Sequence, residues 1–316
     1  MPIYRRSSGT AWVFALVGLV LSSLPAIAAD VAPTSSESLL HRVAVFSDDP
    51  QTIHDPRHPQ SQIGLDRMFA AIGLFWTGHP VPHISGGIIK PFLDMGTAFL
   101  VSPCYVLTNY HVVFGNTSIP PNSGEDYSGT FWTSGRKAHA VPVIYGQFYN
   151  DEWRDWVLLR LDPDEMHGCL GEDPNVGWTH LAALSPADAR DKVLSTAGYP
   201  SDKSGFGLWR QDACHLFEQL SGSEDQGLWT TDCATRPRAS GSPIFFIENG
   251  MLEVTALMHG HLGVVEGDEI FPKWDPARAN LAVDMGQIIS SEPRILELID
   301  RDIVRFHRTI GLQPTP

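Results

Sequence analysis

The chain has 316 residues, of which 43% are hydrophobic and 18% are charged, and its formal net charge is −14. This length and composition are typical of a globular protein with a substantial core and room for two subdomains. A nucleic-acid partner is not expected, because a phosphate-binding surface needs clustered Lys or Arg and the sequence has no such cluster.

Residues 1–29 are predicted to be a secretory signal peptide. Arg5 and Arg6 precede an apolar run at 11–21, and the AIA motif at 26–28 is a small-x-small cleavage pattern. The alternative is an uncleaved membrane anchor, but the apolar run is shorter than the roughly 20 residues of a spanning helix. We therefore expect the mature chain to be secreted or periplasmic, with no membrane span.

Residues 30–62 are rich in Ser, Asp and Pro and predict an irregular arm or a propeptide. Short β-type runs then recur between Gly, Pro and Asn turns. Those in 63–185 predict a first β-barrel and lie at 70–76, 96–101, 105–107, 138–145 and 156–161. Those in 186–290 predict a second β-barrel and lie at 193–197, 208–218, 228–233, 244–247, 252–258 and 281–283.

Two local signals complete this all-β organisation. Asn249-Gly250 lies between two apolar runs and predicts a hairpin, because Asn and Gly tolerate left-handed backbone conformations. In 291–316, isoleucines at 295, 299 and 303 recur at helical spacing. Ser291 and Pro293 would be the cap and an early-turn proline, so we expect a C-terminal helix.

Three motifs indicate a catalytic triad. His111 lies in LTNYHV at 107–112, Asp155 heads an apolar run, and Ser240 lies in ASGSP at 239–243. His111 and Asp155 are 44 residues apart and Asp155 and Ser240 are 85 apart, against about 45 and about 93 in a chymotrypsin-type triad of the same order. A serine hydroxyl needs a neighbouring base, which histidine supplies, and an acid that orients the imidazole. Each residue alone could be structural, and Ser242 is a competing nucleophile.

Four cysteines in an exported chain favour two disulfides. Cys214 and Cys233 lie in strand-like segments on either side of a Gly-rich stretch, so an antiparallel pair would bring them together. Cys104 and Cys169 then pair by elimination. A structural zinc site is disfavoured because no two cysteines are closely spaced, and we expect no metal.

These motifs resemble those of chymotrypsin-fold serine peptidases, and most of all the bacterial glutamyl-endopeptidase and related secreted branch. The resemblance covers roughly residues 63–284 and is carried by 96–101 (GTAFLV), 107–112 (LTNYHV), 155–159 (DWVLL), 198–200 (GYP) and 232–243. It implies two six-stranded antiparallel β-barrels with the triad in the cleft between them. It also implies peptide or protein substrates and no cofactor. Both disulfide pairs fit members of this branch.

The sequence departs from the family pattern at two positions. Arg238 stands two residues before Ser240, where a glycine usually donates one of two oxyanion-hole N–H groups, the other belonging to Ser240 itself. Arg238 could adopt the glycine-type conformation at a cost of about 1–3 kcal/mol, or leave the peptide turned away and the hole unformed. Ala239 stands where trypsins carry an aspartate that pairs with a newly cut N-terminus, so activation by that ion pair is not expected.

The resemblance leaves the preference for the substrate residue before the scissile bond (P1) open. Glutamyl endopeptidases have a threonine and a histidine in the P1 pocket. Thr235 matches the first, whereas the simplest alignment puts Met258 at the second and His259 directly after it. Glutamate is one possible P1 residue, and no aspartate is evident where trypsins bind basic side chains. His259 or His261 could equally line a strand end.

The sequence therefore predicts an exported serine endopeptidase that uses Ser240, His111 and Asp155. A catalytically silent peptide-binding barrel is one alternative, because of Arg238. A serine esterase on the same fold is another, because it would share the triad. The oligomeric state cannot be read from the sequence.

Overall fold

A computed structural model describes residues 45–46, 55–60, 67–85, 88–115, 127–146, 151–164, 168–203, 207–221, 227–261, 270–271 and 274–312. The predicted signal peptide at 1–29 lies outside the described residues, as does most of the arm at 30–62. The chain divides into two compact units, 1–35 and 36–316, and every described residue belongs to the second. Within the described residues, no helix is long and apolar enough to cross a membrane.

Strands dominate the described part of the chain. The strands are β1 (Val45–Phe46), β2 (His58–Pro59), β3 (Ile72–Ser85), β4 (Ile88–Ser102), β5 (Tyr105–Thr108), β6 (Gly129–Thr133), β7 (Arg136–Tyr145), β8 (Val157–Leu161), β9 (His180–Leu181), β10 (Leu194–Gly198), β11 (Trp209–Cys214), β12 (Leu216–Gln219), β13 (Leu228–Thr231), β14 (Pro243–Glu248), β15 (Met251–His261), β16 (Ile270–Phe271) and β17 (Asn280–Asp284). The α-helices are α1 (Tyr110–Phe114), α2 (Pro186–Asp191), α3 (Met285–Ser291) and α4 (Arg294–Thr309).

The first barrel is a closed antiparallel ring in the order β3-β4-β5-β8-β7-β6. Its core includes the buried side chains of Phe75, Leu100, Val106, Phe131 and Leu159. Burying side chains of this size stabilises the fold by about 1.5–3 kcal/mol each. Five of the six strands were predicted from the sequence, and β6 was not.

The second half also closes into a ring. Its sheet runs β12-β13-β17-β15-β14-β10-β11, and β2 and β9 add at the sides. Only His215 separates β11 from β12, so the two ends of this order are one strand bent at that residue. Six strand segments therefore enclose the second core, and the predicted fold class of two six-stranded barrels is confirmed.

The hairpin between β14 and β15 is confirmed. Glu248 pairs with Met251 across a two-residue turn, and Asn249 and Gly250 have φ angles of 51° and 77°. These left-handed values are those that a tight hairpin turn requires.

The C-terminal helix is confirmed, but its predicted cap is wrong. Ser291 ends α3, where its hydroxyl donates a hydrogen bond to the Ile288 carbonyl at 2.9 Å, and Pro293 is the N-cap of α4. The helical spacing holds, because Ile295 and Ile299 are buried on the inner face of α4. The short helix α3 before it, Met285–Ser291, was not predicted.

Both predicted disulfides are present, Cys104–Cys169 and Cys214–Cys233. Cys214 ends β11 and Cys233 follows β13, next to the antiparallel β12–β13 pair. Strand pairing brings these two cysteines together, as the sequence predicted.

Candidate active site

His111 lies at the start of α1, the short helix that directly follows β5, and its side chain is buried. Its ring Nδ1 is 2.7 Å from Asp155 Oδ2, and its backbone N–H donates to Asp155 Oδ1 at 2.8 Å. An ionised carboxylate only accepts hydrogen bonds, so the Nδ1 atom carries the proton. This tautomer leaves the Nε2 atom of His111 as the free base.

Asp155 lies between the 3₁₀ helix Glu152–Arg154 and β8, and it is completely buried. The side-chain amide of Asn109 donates to the Asp155 carbonyl at 2.7 Å and joins the segments that carry His111 and Asp155. Burial alone would raise the pKa of Asp155, but the charges and hydrogen bonds of His111 and His259 outweigh it and hold that pKa well below its usual range. The aspartate is therefore ionised.

His259, on β15, is a second buried histidine on the same carboxylate. Its Nδ1 is 2.6 Å from Asp155 Oδ2, and its Nε2 is 3.6 Å from Glu152 Oε2. Burial would lower the pKa of His259, but the two carboxylates outweigh that effect and raise it to about 10. His259 is therefore an imidazolium at neutral pH, and its side chain lies against Asp155. The sequence had suggested this residue for the substrate pocket or, equally, for a strand end.

His111, Asp155 and His259 are also the set of described active-site groups close enough to share a metal ion. Both imidazoles, however, already direct an Nδ1 atom at one carboxylate oxygen in short hydrogen bonds. The Nδ1 atoms of both imidazoles are thus engaged with Asp155. The arrangement is that of a hydrogen-bonded cluster with one shared acceptor.

Ser240 lies in a tight turn before β14 and is partly exposed. Its carbonyl accepts a hydrogen bond from the Thr97 N–H at 2.8 Å. A Cβ atom added at Gly96 would lie 2.7 Å from the Val112 methyl groups and 3.0 Å from the Ser240 carbonyl oxygen. Gly96 thus lets β4 pass closely between Ser240 and the helix that carries His111, and the structure brings the two segments together.

The turn itself depends on Gly241, whose φ is +84°. A Cβ atom there would lie 2.0 Å from the Thr97 carbonyl oxygen and 2.3 Å from Thr108 Oγ1. The Gly241 N–H donates to the Met258 carbonyl at 3.0 Å, and the Met258 N–H donates to the Ser242 carbonyl at 2.9 Å. The serine turn is therefore fixed to both β4 and β15.

Arg238 adopts a left-handed conformation with φ of +73°. The carbonyl of Pro237 accepts from the Ser201 N–H at 2.8 Å. In a planar trans peptide the N–H points opposite to the C=O, so the Arg238 N–H points away from Ser201. The Arg238 carbonyl accepts from Thr97 Oγ1 at 3.1 Å. Of the two conformations open at Arg238, the structure has the glycine-like one.

Within the described part of the chain, the N–H groups of Arg238 and Ser240 donate no backbone hydrogen bond. The neighbouring N–H of Ala239 does, to the Arg236 carbonyl at 2.9 Å. The turn thus leaves two nearby donors, at alternate residues, for another acceptor.

Ser242, the competing nucleophile, is only 2% exposed. Its hydroxyl points into the protein, where a Cβ atom added at Gly198 would lie 2.0 Å from it. Thr235 and Met258, suggested for the substrate pocket, are each 1% exposed. Among the described residues, neither the Thr235 nor the Ser242 hydroxyl has a hydrogen-bond partner. Ser240 is therefore the accessible serine of the pair.

The sequence did not single out Glu152, Asn109 or Gly96 for the site. Glu152 precedes the aspartate by three residues, and one turn of 3₁₀ helix brings it towards His259. Asn109 precedes α1 in the position that commonly caps a helix, but its amide instead bonds the Asp155 carbonyl. No local pattern in the sequence indicates these contacts, because each joins segments far apart in the chain.

Comparison with known proteins finds one family model and several solved structures that resemble this chain. A family model described as a trypsin-like peptidase domain matches residues 96–252. A Glu endopeptidase structure, solved with MPD, superposes with a TM-score of 0.53 at 15% identity, over 81% of this chain and 100% of that chain. The protease Anisep from Arthrobacter nicotinovorans superposes with a TM-score of 0.51 at 14% identity, over 74% of this chain and 96% of that chain. No curated protein sequence matches.

The family match confirms the resemblance to chymotrypsin-fold serine peptidases that the sequence motifs indicated. Residues 96–252 match the model of the trypsin-like peptidase domain. They contain His111, Asp155 and Ser240. At 14–15% identity, the two solved structures establish the fold alone.

Proposed function

We propose that this trypsin-like peptidase is an exported serine endopeptidase with Ser240 as nucleophile, His111 as base and Asp155 as the orienting acid. The observation that carries the proposal is the double hydrogen bond of Asp155 to the ring and the backbone of His111. It fixes both the tautomer and the direction of the imidazole, which is the task of the acid in a triad. A histidine with a purely structural role does not need both hydrogen bonds.

In this mechanism the Ser240 hydroxyl oxygen attacks the carbonyl carbon of the scissile bond while the His111 Nε2 atom takes its proton. The tetrahedral intermediate then expels the amine, which receives the proton from His111 as the C–N bond breaks. Water, activated by His111 in the same way, hydrolyses the acyl-enzyme. The buried negative charge of Asp155 stabilises the imidazolium that forms in both steps.

The N–H groups of Arg238 and Ser240 would hold the oxyanion. The Arg238 φ of +73° and the bond from Ser201 to the Pro237 carbonyl support this role. One oxyanion-hole donor contributes about 10²–10³ in rate. This geometry favours an active enzyme over the catalytically silent barrel.

His259 would act as a positioning residue for Asp155. Its positive charge lies between Asp155 and Glu152. The two carboxylates and this imidazolium sum to one negative charge, which faces His111. The negative charge of Glu152 thus offsets the positive charge of His259. One net negative charge remains beside His111, where it can stabilise the imidazolium that forms during the reaction.

Thr235 and Met258, which the sequence suggested for the P1 pocket, are both buried. Because the charge of His259 is committed to Asp155 and Glu152, it is not free to bind an acidic P1 side chain. We therefore expect the enzyme to cleave after uncharged residues at least as fast as after glutamate. A panel of quenched peptides that differ only at P1 tests this, and a tenfold preference for glutamate would contradict it.

The predicted signal peptide and the two disulfides support export to an oxidising compartment, the periplasm or the medium. Expression of the full chain in a bacterial host, followed by fractionation and N-terminal sequencing of the product, tests this. Retention of residues 1–29 on a protein found in the cytoplasm would contradict it.

The activity is tested with quenched peptides and matched p-nitrophenyl esters on the purified mature protein. We expect Ser240→Ala to lower kcat on peptides by about 10⁶. Ser242→Ala, the matched control, should retain most activity. Turnover of esters without peptides would indicate an esterase, and turnover of neither would indicate a silent barrel.

A further inference from the structure

Residues 55–60, inside the segment that the sequence suggested as an arm or a propeptide, are built into the second barrel. β2 pairs with β11, with His58 opposite Arg210 and Pro59 opposite Trp209. The Gln60 N–H also donates to the Leu208 carbonyl at 2.8 Å. This segment therefore adds a strand to the barrel that carries Ser240.

Arg57, next to β2, is the anchor of this segment, and its side chain is only 4% exposed. It is bidentate to Asp202, with Nη1–Oδ1 and Nη2–Oδ2 distances of 3.0 and 2.5 Å. It also donates from Nε and Nη2 to Asp55 at 2.9 and 2.7 Å. Lys203 Nζ lies 2.5 Å from Asp55 Oδ2. Burial alone would raise the pKa of Asp55, but these hydrogen bonds outweigh it and lower that pKa.

The Arg57 network continues into the loop before Ser240. Asp202 follows Ser201, whose N–H donates to the Pro237 carbonyl at 2.8 Å. That carbonyl belongs to the same peptide as the Arg238 N–H, so the Ser201 bond fixes the direction in which the N–H points. Arg57 also lines one small cavity with Ala239, the residue directly before Ser240.

We propose that Arg57 is a positioning residue for the oxyanion hole, and that residues 55–60 are a permanent part of the working enzyme. Arg57 holds Asp202, Asp202 holds the loop at Ser201, and Ser201 holds the Pro237–Arg238 peptide with its N–H towards the substrate. Any maturation cut in the arm then falls before Asp55. The inference rests on the proposed function, because it assigns a role in that same reaction.

The Arg57–Asp202 ion pair takes the place of the ion pair that trypsins form between an aspartate and a newly cut N-terminus. At Ala239 there is no carboxylate to pair with a new N-terminus, so that ion pair cannot order the loop. Arg57 lines the same small cavity as Ala239, and its guanidinium pairs with Asp202. The loop can therefore be ordered without cleavage.

The test compares Arg57→Met and Asp202→Asn with the parent enzyme. Arg136→Met is the matched control, because Arg136 also forms an ion pair, with Asp173, but lies in the first barrel. For each variant, kcat and KM on a peptide, the Ki of a peptide boronate and the denaturant midpoint are measured. The boronate needs the oxyanion hole, whereas ground-state binding of a peptide depends on it little.

We expect Arg57→Met and Asp202→Asn to lower kcat by about 10²–10³, the effect of one lost oxyanion donor. The Ki of the boronate should rise in parallel, while KM changes less than threefold. Arg136→Met should change none of the three by more than threefold. The double variant Arg57→Met/Asp202→Asn should lose no more kcat than the more affected single variant, because both residues act through the Ser201–Pro237 hydrogen bond.

A lower midpoint with unchanged kcat and Ki for the folded protein would overturn the inference and make Arg57 merely structural. If Arg57→Met does not fold, Asp202→Asn and Arg57→Lys decide by the same readouts. N-terminal sequencing of the active parent enzyme tests the second part, and a mature N-terminus that begins after Asp55 would overturn it. An inactive parent enzyme would instead contradict the proposed function.

Discussion

The conformation of Arg238 gives a quantitative prediction about the oxyanion turn. Its φ of +73° lies in the left-handed region, which costs a residue with a Cβ atom about 1–2 kcal/mol. Glycine avoids this cost but loses about 0.5–1 kcal/mol through the entropy of the unfolded chain. We therefore expect Arg238→Gly to be more stable than Arg238→Ala by about 0.5–1 kcal/mol. Both variants lack the arginine side chain, so the effect of its removal does not enter this comparison.

The assay is urea unfolding of both variants on a Ser240→Ala background, which prevents autolysis. Their kcat values are measured with Ser240 intact. Because the Arg238 N–H already points away from Ser201, we expect Arg238→Gly to stay within threefold of the parent kcat. A rise of 30-fold or more would mean that the parent hole is not formed. A glycine variant less stable than the alanine variant would refute the strain argument.

Three other predictions concern stability. The pKa of His259 is raised to about 10 from 6.5, so its contribution is complete below pH 6.5 and is lost as the pH rises towards 10. In urea unfolding of Ser240→Ala, we expect the free energy of unfolding to fall by on the order of 3–5 kcal/mol between these pH values. The double variant Ser240→Ala/His259→Gln should lack this fall, and the same pH dependence in both proteins would contradict the prediction. Gly241→Ala should cost about 3 kcal/mol or more and abolish peptide hydrolysis, since its Cβ would strike the β4 backbone; an active variant would exclude this close approach of the serine turn to β4. Replacing the Cys214–Cys233 disulfide, which closes a 19-residue separation, with two serines should cost about 3 kcal/mol in the same assay, and no change would contradict the entropic estimate.

Local patterns were enough to predict most strands and the hairpin at Asn249. Each depends on neighbours in sequence: alternation of apolar residues, and turn residues that tolerate positive φ. β6 was missed because its five residues, Gly129–Thr133, offer little alternation, yet they pair with both β3 and β7. Ser291 was misassigned as a cap because a serine that ends one helix and one that begins another differ only in tertiary context.

The contacts that join distant segments could not be predicted. Asp155 and His259 are 104 residues apart, and Arg57 and Asp202 are 145 apart. Nothing near either residue in sequence indicates its partner, because ion pairs impose no periodicity on the chain. The triad could be proposed from the sequence only because its residues lie in motifs that resemble a known family.

Labelling with a fluorophosphonate probe tests the central claim most directly, because it requires the nucleophile, the base and the oxyanion hole to assemble together. The purified mature protein is labelled, digested and mapped by mass spectrometry, with Ser240→Ala and Ser242→Ala as paired controls. We expect the label on Ser240 alone, present in Ser242→Ala and absent from Ser240→Ala. An unlabelled parent protein, or a label that persists in Ser240→Ala, would contradict the account.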